Sequence, residues 1–422
     1  MTAYIRPGPP PSGVLAAPPS KSMAHRAVLC AALADGESRL TGLAHSQDID
    51  ATLAAAAALG AQVEAGEGWA RIAGAAPLQA PAAPVDCCES GSTLRFLIPL
   101  AALTGRPVAF TGRGRLMQRP QSVYQELFAS QGLRFEQEGD TLTVAGPLRP
   151  GCFSLAGDVS SQFISGLLFA LPLLDGDSRL CLKPPVESRS YIEMTRASQS
   201  RFGVASAWLD EYTLAVPGGQ AYRPRDMAIE GDWSQAAFPA ALGVLAGDVT
   251  VTGLEPGTLQ GDAVILDILR RCGGRAEAVP GGVRFQKSAL HGTKIDLADC
   301  PDLGPILMAL GLLCEGETVI TNAGRLRLKE SDRIAAMEQE LRKLGGRIES
   351  DGGTVTIRRS ALHAPAGPLW GHNDHRVVMS LTVLAAAAGL PVQIDGAEAV
   401  AKSWPGFFAA VRQLGVEVQT DA

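Results

Sequence analysis

The amino-acid sequence predicts an α/β fold made of six repeats, three in each of two domains. Six glycines, each between an apolar, helix-like segment and an alternating, strand-like segment, recur 72, 71, 70, 72 and 70 residues apart. Polar openings of apolar helices recur in the same register, and the 422 residues exceed what one hydrophobic core usually serves. The glycines are Gly60, Gly132, Gly203, Gly273, Gly345 and Gly415.

Each repeat is predicted to contain an amphipathic helix that ends at its glycine and is followed by a β-hairpin. Glycine is the residue that most easily adopts the left-handed conformation just beyond a helix end. In the fifth repeat, residues 347–349 and 354–357 alternate apolar and polar side chains on either side of Asp351-Gly352-Gly353. This pattern is typical of two antiparallel strands joined by a tight turn.

Each repeat is also predicted to contain a second, buried helix. Residues 163–174 and 307–314 are apolar on nearly every side, which places such helices inside a domain. The polar openings of these helices are Ser20-Lys21-Ser22, Ser90-Gly91-Ser92-Thr93, Ser160-Ser161-Gln162, Asp232-Trp233-Ser234, Pro301-Asp302 and Asp374-His375-Arg376.

The domain boundaries are predicted where proline and glycine interrupt the repeats. Pro18-Pro19 precedes the first buried helix, and Pro217-Gly218-Gly219 follows the third repeat. Such clusters are usually only turns, and their coincidence with the repeat count favours a crossing between domains here. We expect one domain from residues 1–18 and 225–422, which contains both termini, and an inserted domain from residues 19–224.

Composition and charge argue against several classes of partner. A net charge of −6 and an isoelectric point near 5.6 disfavour nucleic acid, whose phosphates need a basic surface. The proline-rich residues 1–13 lack the basic and apolar regions of a signal peptide. Residues 377–392, the longest mostly apolar stretch, are too few to span a membrane. We expect a cytoplasmic monomer without a nucleic-acid or membrane partner.

The cysteines predict a reducing compartment. No C-x-x-C pair and no zinc-like Cys/His spacing occurs, so we expect buried thiols. The eight cysteines are Cys30, Cys87, Cys88, Cys152, Cys181, Cys272, Cys300 and Cys314.

Cationic residues lie at or near the predicted helix openings although the protein is acidic. The N-terminus of a buried helix attracts anions because its first N–H groups are unsatisfied and carry partial positive charge. Arginine suits bidentate phosphate or carboxylate contacts and lysine a point contact. The pattern therefore predicts small, multiply anionic substrates. The cations are Lys21, Arg26, Arg95, Arg119, Lys329, Arg333, Arg376 and Lys402.

Several of these residues also have a purely structural interpretation. Glu330 and Arg333 have the i, i+3 spacing of an ion pair on a helix surface. Ser160 is a good helix N-cap without any ligand, and a single charge such as Lys21 can simply flank a helix. The functional interpretation gains weight because such segments occupy equivalent places in successive repeats.

Motifs of several other chemistries do not occur. The sequence has no phosphate-binding G-x-x-x-x-G-K-[ST] loop, no strand-anchored G-x-G-x-x-G, no H-E-x-x-H and no G-x-S-x-G. His372, Asp374 and His375 have no evident fourth ligand, so they are weak candidates for a metal site. Nucleotide hydrolysis, dinucleotide redox chemistry and zinc hydrolysis are disfavoured.

Eight short motifs, met in order along nearly the whole chain, resemble the 5-enolpyruvylshikimate-3-phosphate (EPSP) synthase family. The motifs are Pro19-Ser20-Lys21-Ser22 with Arg26, Ser90-Gly91-Ser92-Thr93-Leu94-Arg95, Arg119-Pro120, Ser160-Ser161-Gln162, Pro301-Asp302, Lys329-Glu330-Ser331-Asp332-Arg333, Asn373-Asp374-His375-Arg376 and Lys402-Ser403-Trp404-Pro405.

This resemblance implies a two-domain inside-out α/β barrel of six βαβαββ-type repeats, with the active site in the cleft between the domains. It implies no metal and no cofactor. The implied reaction adds the 5-hydroxyl of shikimate 3-phosphate to C2 of phosphoenolpyruvate while C3 is protonated. The tetrahedral intermediate then loses phosphate, which is a step toward chorismate and the aromatic amino acids.

The resemblance also implies roles for individual residues. Asp302 resembles the group that takes the proton of the 5-hydroxyl, Glu330 the group that moves a proton at C3, and Lys21 a third catalytic residue. The implied contacts of shikimate 3-phosphate are Lys21, Ser22, Arg26, Ser160, Ser161, Gln162, Ser188, Asp302, Arg325 and Lys329. Those of phosphoenolpyruvate are Lys21, Gly91, Arg119, Gln162, Arg333, Arg376 and Lys402.

Two positions depart from the family pattern, and two alternatives stay open. Glu89 and Arg325 stand where the family usually or often has Asn. The first alternative is a UDP-N-acetylglucosamine enolpyruvyl transferase, although residues 111–120 lack the reactive Cys typical of that family. The second is a non-catalytic anion-binding protein of the same fold, which would be expected to have lost part of the charged set.

Overall fold

The structure is a computed structural model that describes residues 1–421. Within those residues it contains twelve α-helices, which alternate with short strands. The helices are α1 (Lys21–Ala32), α2 (Gln47–Ala58), α3 (Gly91–Ala102), α4 (Ser122–Ser130), α5 (Ser161–Ala170), α6 (Arg189–Arg201), α7 (Trp233–Ala246), α8 (Ile265–Arg271), α9 (Gly304–Gly311), α10 (Arg333–Lys343), α11 (His375–Ala388) and α12 (Phe407–Gln413).

Twenty-four strands, most of four to six residues, form six four-stranded sheets in the described part of the chain. The strands are β1 (Thr2–Ile5), β2 (Ser12–Ala16), β3 (Glu37–Leu43), β4 (Gln62–Gly66), β5 (Gly68–Ala73), β6 (Val85–Asp86), β7 (Val108–Thr111), β8 (Arg134–Glu138), β9 (Thr141–Ala145), β10 (Cys152–Ala156), β11 (Ser178–Lys183), β12 (Ala207–Trp208), β13 (Thr213–Val216), β14 (Met227–Ala228), β15 (Asp248–Thr252), β16 (Arg275–Val279), β17 (Gly282–Gln286), β18 (Lys294–Asp296), β19 (Glu317–Thr321), β20 (Arg347–Asp351), β21 (Thr354–Arg358), β22 (Leu369–Trp370), β23 (Val392–Asp395) and β24 (Val418–Thr420).

The chain divides into two compact units. The inserted unit is Lys21–Ile229, and the terminal unit is Met1–Ser20 together with the chain from Glu230 onward. Each unit contains three of the six sheets.

The unit boundaries differ by a few residues from the predicted crossings after residues 18 and 224. The backbone N–H of Ser20 donates to the Glu230 carbonyl (2.8 Å), which keeps Ser20 in the terminal unit. The backbone N–H of Ile229 donates to the Thr41 carbonyl (2.9 Å), and β14 pairs with β3, so residues 225–229 belong to the inserted unit. These backbone contacts hold each segment to its own unit.

The sheets have one repeated topology, and the predicted βαβαββ repeat is confirmed. In the second repeat the order is β6-β7-β9-β8. The pair β6/β7 is parallel and is connected through α3, whereas β8 and β9 form the antiparallel hairpin that follows α4. The third and fifth repeats have the same arrangement.

Three repeats are completed by strands from distant parts of the chain. β14 supplies the outer parallel strand beside β3, and β2 supplies the equivalent strand beside β15. β1 lies antiparallel between β23 and β24 and completes the last sheet. These exchanges were not predicted, because periodicity within the chain contains no signal for pairing between distant segments.

The predicted buried helices and helix-ending glycines are found in the structure. The helices α1, α3, α5, α7, α9 and α11 bury most of their residues. Ring contacts lie in both cores: Phe96 of α3 and Phe169 of α5 have a centroid distance of 5.4 Å in the inserted unit, and Phe238 of α7 and Phe407 of α12 have one of 6.2 Å in the terminal unit. All six repeat glycines have positive φ, from 67° to 107°, as a left-handed helix end requires.

No helix among residues 1–421 is both long enough and apolar enough to cross a membrane.

Candidate active site

In the terminal unit, charged side chains meet where several helices begin. A 3-10 helix, Pro301–Leu303, precedes α9 and contains Asp302. The side chain of Asp374 caps α11 by accepting a hydrogen bond from the backbone N–H of Arg376 (2.9 Å). Asp374 is thus the N-cap of α11, whereas the N-cap residue of α9, Leu303, makes no side-chain cap hydrogen bond, and the 3-10 turn before α9 positions Asp302 instead.

The Asp302 carboxylate is contacted by three cations. Arg333 Nη1 lies 3.0 Å from Oδ1, Lys329 Nζ 3.4 Å from Oδ1 and Arg376 Nη2 3.1 Å from Oδ2. The Asp302 side chain keeps about 20% of its surface exposed. Since Arg376 also donates to the Asp302 backbone carbonyl (3.0 Å), this carboxylate is held in one orientation.

Arg333 is the centre of this cluster and is only 1% exposed. Its Nε lies 2.8 Å from Asp374 Oδ2, and its Nη2 lies 2.8 Å from Glu330 Oε2. Burial alone would lower the pKa of Arg333, but Asp374, Glu330 and Asp302 raise it above the ordinary value. Burial works against the charge of Asp374 as well, yet Arg333 keeps the pKa of that carboxyl below its ordinary value.

Glu330 and Arg333 form an ion pair at i, i+3 spacing, but this pair is not solvated on a helix surface. Helix α10 begins at Arg333, so Glu330 precedes it, and the arginine is buried. Glu330 keeps about 16% of its side chain exposed, whereas Asp374 keeps none. Of the three carboxylates around Arg333, only Asp302 and Glu330 can therefore touch a substrate.

Asp262 lies close to this cluster and was not singled out from the sequence. It is hydrogen-bonded to Ser234, whose Oγ accepts a hydrogen bond from Arg376 Nη2 (2.6 Å). Burial, together with the nearby Asp302 charge, raises the pKa of Asp262 to about 7. Burial also lowers the pKa of Lys329, an effect that Asp302 opposes.

Two further predicted cations of the terminal unit contact backbone carbonyls. Lys402 Nζ lies 2.6 Å from the carbonyl of Asn373, the residue just before Asp374. Arg325 Nη2 lies 2.5 Å from the Ala298 carbonyl. Lys402 is thus held beside the Asp374 end of the cluster, and Arg325 is anchored to the segment that leads to Asp302.

In the inserted unit, the first two turns of α1 contain Lys21, Ser22 and Arg26. Lys21 Nζ forms a mostly buried ion pair with Asp48 Oδ2 at 2.7 Å. Arg26 is buried and donates from Nε to Thr195 Oγ1 (2.8 Å) and from Nη1 to the Ser22 carbonyl (2.7 Å). Burial lowers the pKa of Arg26 to about 10, which leaves it charged at neutral pH.

Gln162 joins two buried helices. Its Oε1 accepts from Arg95 Nη1 (2.9 Å), and its Nε2 donates to Ser92 Oγ (3.0 Å). Ser160 caps α5 by accepting from the Gln162 backbone N–H (3.3 Å), with Ser161 as the first helical residue. The structure therefore places Ser160, Ser161 and Gln162 together with Arg95.

Arg119 packs directly on the backbone of Gly91, the first residue of α3. A Cβ atom added to Gly91 would lie 2.7 Å from Arg119 Nη1. Arg119 is 8% exposed, and its Nε is buried without a hydrogen-bond partner among the described residues. Glu89, one of the two departures from the family pattern, lies beside Gly114, where an added Cβ would meet Glu89 Oε2 at 2.5 Å.

Ser188, the remaining predicted contact, is the N-cap residue of α6. It is 2% exposed and has a φ of +56°, a left-handed conformation that is uncommon for serine. Such backbone strain is concentrated at functional positions.

The sequence analysis missed several members of these clusters. Asp374 was named in a helix opening, in a family motif and as a weak metal ligand, Ser234 was named only in a helix opening, and Asp48 and Asp262 were not singled out. Their signal in the sequence is slight, because an acidic or small residue beside a helix start is common. Only the folded structure shows which of them meet a buried cation.

The fold and these clusters define an α/β protein of six βαβαββ repeats whose cations gather near the starts of its buried helices. A sequence model of the family described as EPSP synthase (3-phosphoshikimate 1-carboxyvinyltransferase) matches residues 5–411. The chain is 41% identical over 408 residues to the 3-phosphoshikimate 1-carboxyvinyltransferase of Clostridium kluyveri, with 96% of each chain covered. It is 40% identical over 415 residues to the protein of that name from Clostridium beijerinckii, with 96% and 95% covered.

Solved structures show the same fold. EPSP synthase from Acinetobacter baumannii matches with a TM-score of 0.81 at 24% identity, covering 99% of this chain and 100% of that chain. The enolpyruvyl transferase NikO from Streptomyces tendae matches with a TM-score of 0.78 at 17% identity, covering 99% and 98%.

The chain belongs to the EPSP synthase family. The predictions of the fold, of the family and of an enzyme are confirmed by these matches, which do not support the nucleotide-sugar alternative.

Proposed function

We propose that this protein transfers the enolpyruvyl group of phosphoenolpyruvate to the 5-hydroxyl of shikimate 3-phosphate and releases phosphate. Family membership supports the reaction class and both substrates. The observation that carries the proposal is the cluster around Arg333. It contains two partly exposed carboxylates, Asp302 and Glu330, among cations that fit an anionic substrate pair.

The proposed chemistry divides proton transfer between these two carboxylates. Asp302 accepts the proton of the 5-hydroxyl as its oxygen bonds to C2 of phosphoenolpyruvate, and Glu330 delivers a proton to C3. The tetrahedral intermediate then loses phosphate from C2 and a proton from C3, which forms the enol ether. Arg333 holds both carboxylates in place, and the fully buried Asp374 fixes Arg333.

Cations of the terminal unit complete this part of the proposal. Arg333, Arg376 and Lys402 bind the carboxylate and phosphate of phosphoenolpyruvate and stabilise the charge on the departing phosphate. Lys329 and Arg325 contact shikimate 3-phosphate. Fixed cations in a partly buried cluster need little reorganisation during the reaction, which supports this role.

The inserted unit supplies the other proposed contacts. Ser22, Arg26, Ser160, Ser161 and Ser188 bind shikimate 3-phosphate with hydroxyl groups, a guanidinium and N–H groups near helix starts. The groups proposed for phosphoenolpyruvate are Lys21, Gly91, Arg119 and Gln162, with Lys21 and Gln162 touching both substrates. The unpartnered Nε of Arg119 and the close approach of its guanidinium to Gly91 support an anion site there.

The test is phosphate release by the purified protein with phosphoenolpyruvate and either shikimate 3-phosphate or UDP-N-acetylglucosamine, each with and without EDTA. We expect release only with the shikimate acceptor, at the same rate in EDTA. Release only with the nucleotide sugar, or no release with either acceptor, would overturn the proposal. A cytoplasmic location and a monomeric state stay predictions from the sequence.

The roles of individual carboxylates are tested by substitution. Asp302→Asn keeps the shape of the side chain but removes its charge, so we expect turnover to fall by about a hundredfold or more while shikimate 3-phosphate still binds. The matched control is Asp351→Asn on an exposed hairpin, which should retain wild-type turnover. Near-normal turnover of the Asp302 variant would remove this residue from the mechanism.

A further inference from the structure

Two thiols lie side by side on the surface of the inserted unit. The Sγ atoms of Cys152 and Cys181 are 3.1 Å apart, although the residues are separated by 29 positions in the sequence. Cys152 is exposed and Cys181 is half-buried. The expectation that all cysteines are buried is therefore wrong for this pair.

The strand register explains why these thiols meet. In the parallel pair β10/β11, Cys152 is opposite Arg179 and Ser154 is opposite Cys181, so the cysteines are diagonal neighbours. Phe153 is buried, so the alternating side chains put both thiols on the outward face. Because β10 is the edge strand of its sheet, reagents can approach Cys152.

The other cysteines provide a comparison within the same molecule. Cys272 and Cys314 are also hydrogen-bonded to each other, but both are buried. Cys88 is half-buried, and Cys30, Cys87 and Cys300 are buried. Of these two hydrogen-bonded thiol pairs, only Cys152/Cys181 is exposed to solvent.

We propose that Cys152 and Cys181 are a modification site, a dithiol that hydrogen peroxide oxidises to an intramolecular disulfide. This inference does not depend on the proposed function. A disulfide has a sulfur–sulfur bond of about 2.05 Å, so the two Sγ atoms need to approach by about 1 Å. Rotation of the Cys152 side chain on an edge strand supplies that movement.

The oxidation has two balanced steps. The Cys152 thiolate attacks one peroxide oxygen, the O–O bond breaks, and a sulfenic acid and hydroxide form. Cys181 then loses its proton, its sulfur attacks the Cys152 sulfur, and a second hydroxide leaves. The two thiols together lose two electrons, and the peroxide ends as two molecules of water.

The surroundings favour Cys152 as the attacking sulfur. The hydrogen bond with Cys152, followed by partial burial, raises the pKa of Cys181, so Cys181 keeps its proton longer. Its S–H group stays available to donate to the Cys152 thiolate and to resolve the sulfenic acid.

The position of the pair gives the disulfide a structural consequence. Strand β10 leads to the loop that contains Ser160, and β11 leads to the loop that contains Ser188. The backbone N–H of Glu187 donates to the Gly157 carbonyl (3.1 Å), so these two loops are already joined. A disulfide between β10 and β11 therefore restrains the strands from which both loops start.

The experiment treats the native, full-length protein with hydrogen peroxide, alkylates the remaining thiols, and measures intact mass and proteolytic peptides. We expect two fewer alkylated thiols, a loss of two hydrogen atoms before alkylation, and one peptide pair linking Cys152 to Cys181. Dithiothreitol should restore both thiols.

Serine variants make the assignment specific. Cys152→Ser and Cys181→Ser should each abolish the cross-link, whereas Cys88→Ser should form it as the wild type does. The proposal is overturned if peroxide leaves both thiols alkylatable, if it stops at an oxidised Cys152 without a cross-link, or if the cross-link joins other cysteines.

Discussion

Replacing Asp374 by Asn should destabilise the terminal unit by about 3 kcal/mol or more. Asp374 Oδ2 lies 2.8 Å from Arg333 Nε, and the two side chains are 0% and 1% exposed. Removing one partner of a buried ion pair typically costs about 3–5 kcal/mol, because the other charge stays buried without compensation. Glu330 and Asp302 still contact Arg333 and compensate in part, so we expect the lower end of that range.

A second substitution separates charge from helix capping. Asn retains the oxygen that accepts from the Arg376 backbone N–H, whereas Asp374→Ala also loses this N-cap. The Ala variant should therefore be about 1 kcal/mol less stable than the Asn variant. Urea unfolding, followed by the fluorescence of buried Trp233 and Trp404, measures both.

The expected shift in the urea midpoint is about 1 M or more for Asp374→Asn, given typical slopes of about 1–3 kcal/mol/M. The exposed control Asp351→Asn should unfold like the wild type. If Asp374→Asn unfolds within about 0.2 M of the wild type, the ion pair with Arg333 does not stabilise this unit and the reasoning fails.

Three further predictions concern single residues and pH. Gly91→Ala should change stability by less than about 1.5 kcal/mol but raise the KM for phosphoenolpyruvate about tenfold. The added Cβ would lie only 2.7 Å from Arg119 Nη1, so the guanidinium would have to move. An unchanged KM in a steady-state assay would exclude this contact. Arg26→Ala should lower the free energy of unfolding in urea by about 3 kcal/mol, since it removes charged hydrogen bonds between α1 and α6. It should also weaken the binding of shikimate 3-phosphate measured by calorimetry. An unchanged dissociation constant would exclude the substrate contact. Burial raises the pKa of Asp262 to about 7 in the fold, so this carboxyl binds more protons in the folded than in the unfolded state between about pH 4 and 7, and its contribution to stability falls as pH rises through that window. Asp262→Asn should therefore gain stability relative to the wild type from about pH 5 to 8, and a pH-independent difference would contradict the raised pKa of this buried carboxyl.

The repeat architecture could be predicted because its signals are local. A helix-ending glycine needs a positive φ, and each of the six has one. A hairpin such as β20/β21 and an all-apolar helix such as α9 are likewise specified within a few residues. Such features follow from backbone conformation and burial, which sequence patterns report directly.

The exchanged strands could not be predicted in this way, and the unit boundaries were predicted only to within a few residues. β1, β2 and β14 are short segments whose partners lie far along the chain. Nothing in their own pattern selects a partner, because strand pairing also depends on which strands of the folded unit are left without a neighbour.

The candidate site was predictable in its residue types but not in its geometry. Cations near helix starts indicated anion binding, yet the burial of Arg333 and its pairing with Asp374 depend on three segments meeting. The surface position of Cys152 was not predicted, because cysteine is usually buried. Cys152 is exposed here because β10, which contains it, lies at the edge of its sheet.

The most direct test of the central claim is the reaction of shikimate 3-phosphate and phosphoenolpyruvate in deuterium oxide, followed by NMR of the enolpyruvyl methylene group. The account predicts phosphate release together with deuterium at C3 of the product, because C3 gains a solvent-derived proton before the intermediate loses phosphate. Product without deuterium would contradict addition followed by elimination, and the absence of an enolpyruvyl product would contradict the proposed transfer itself.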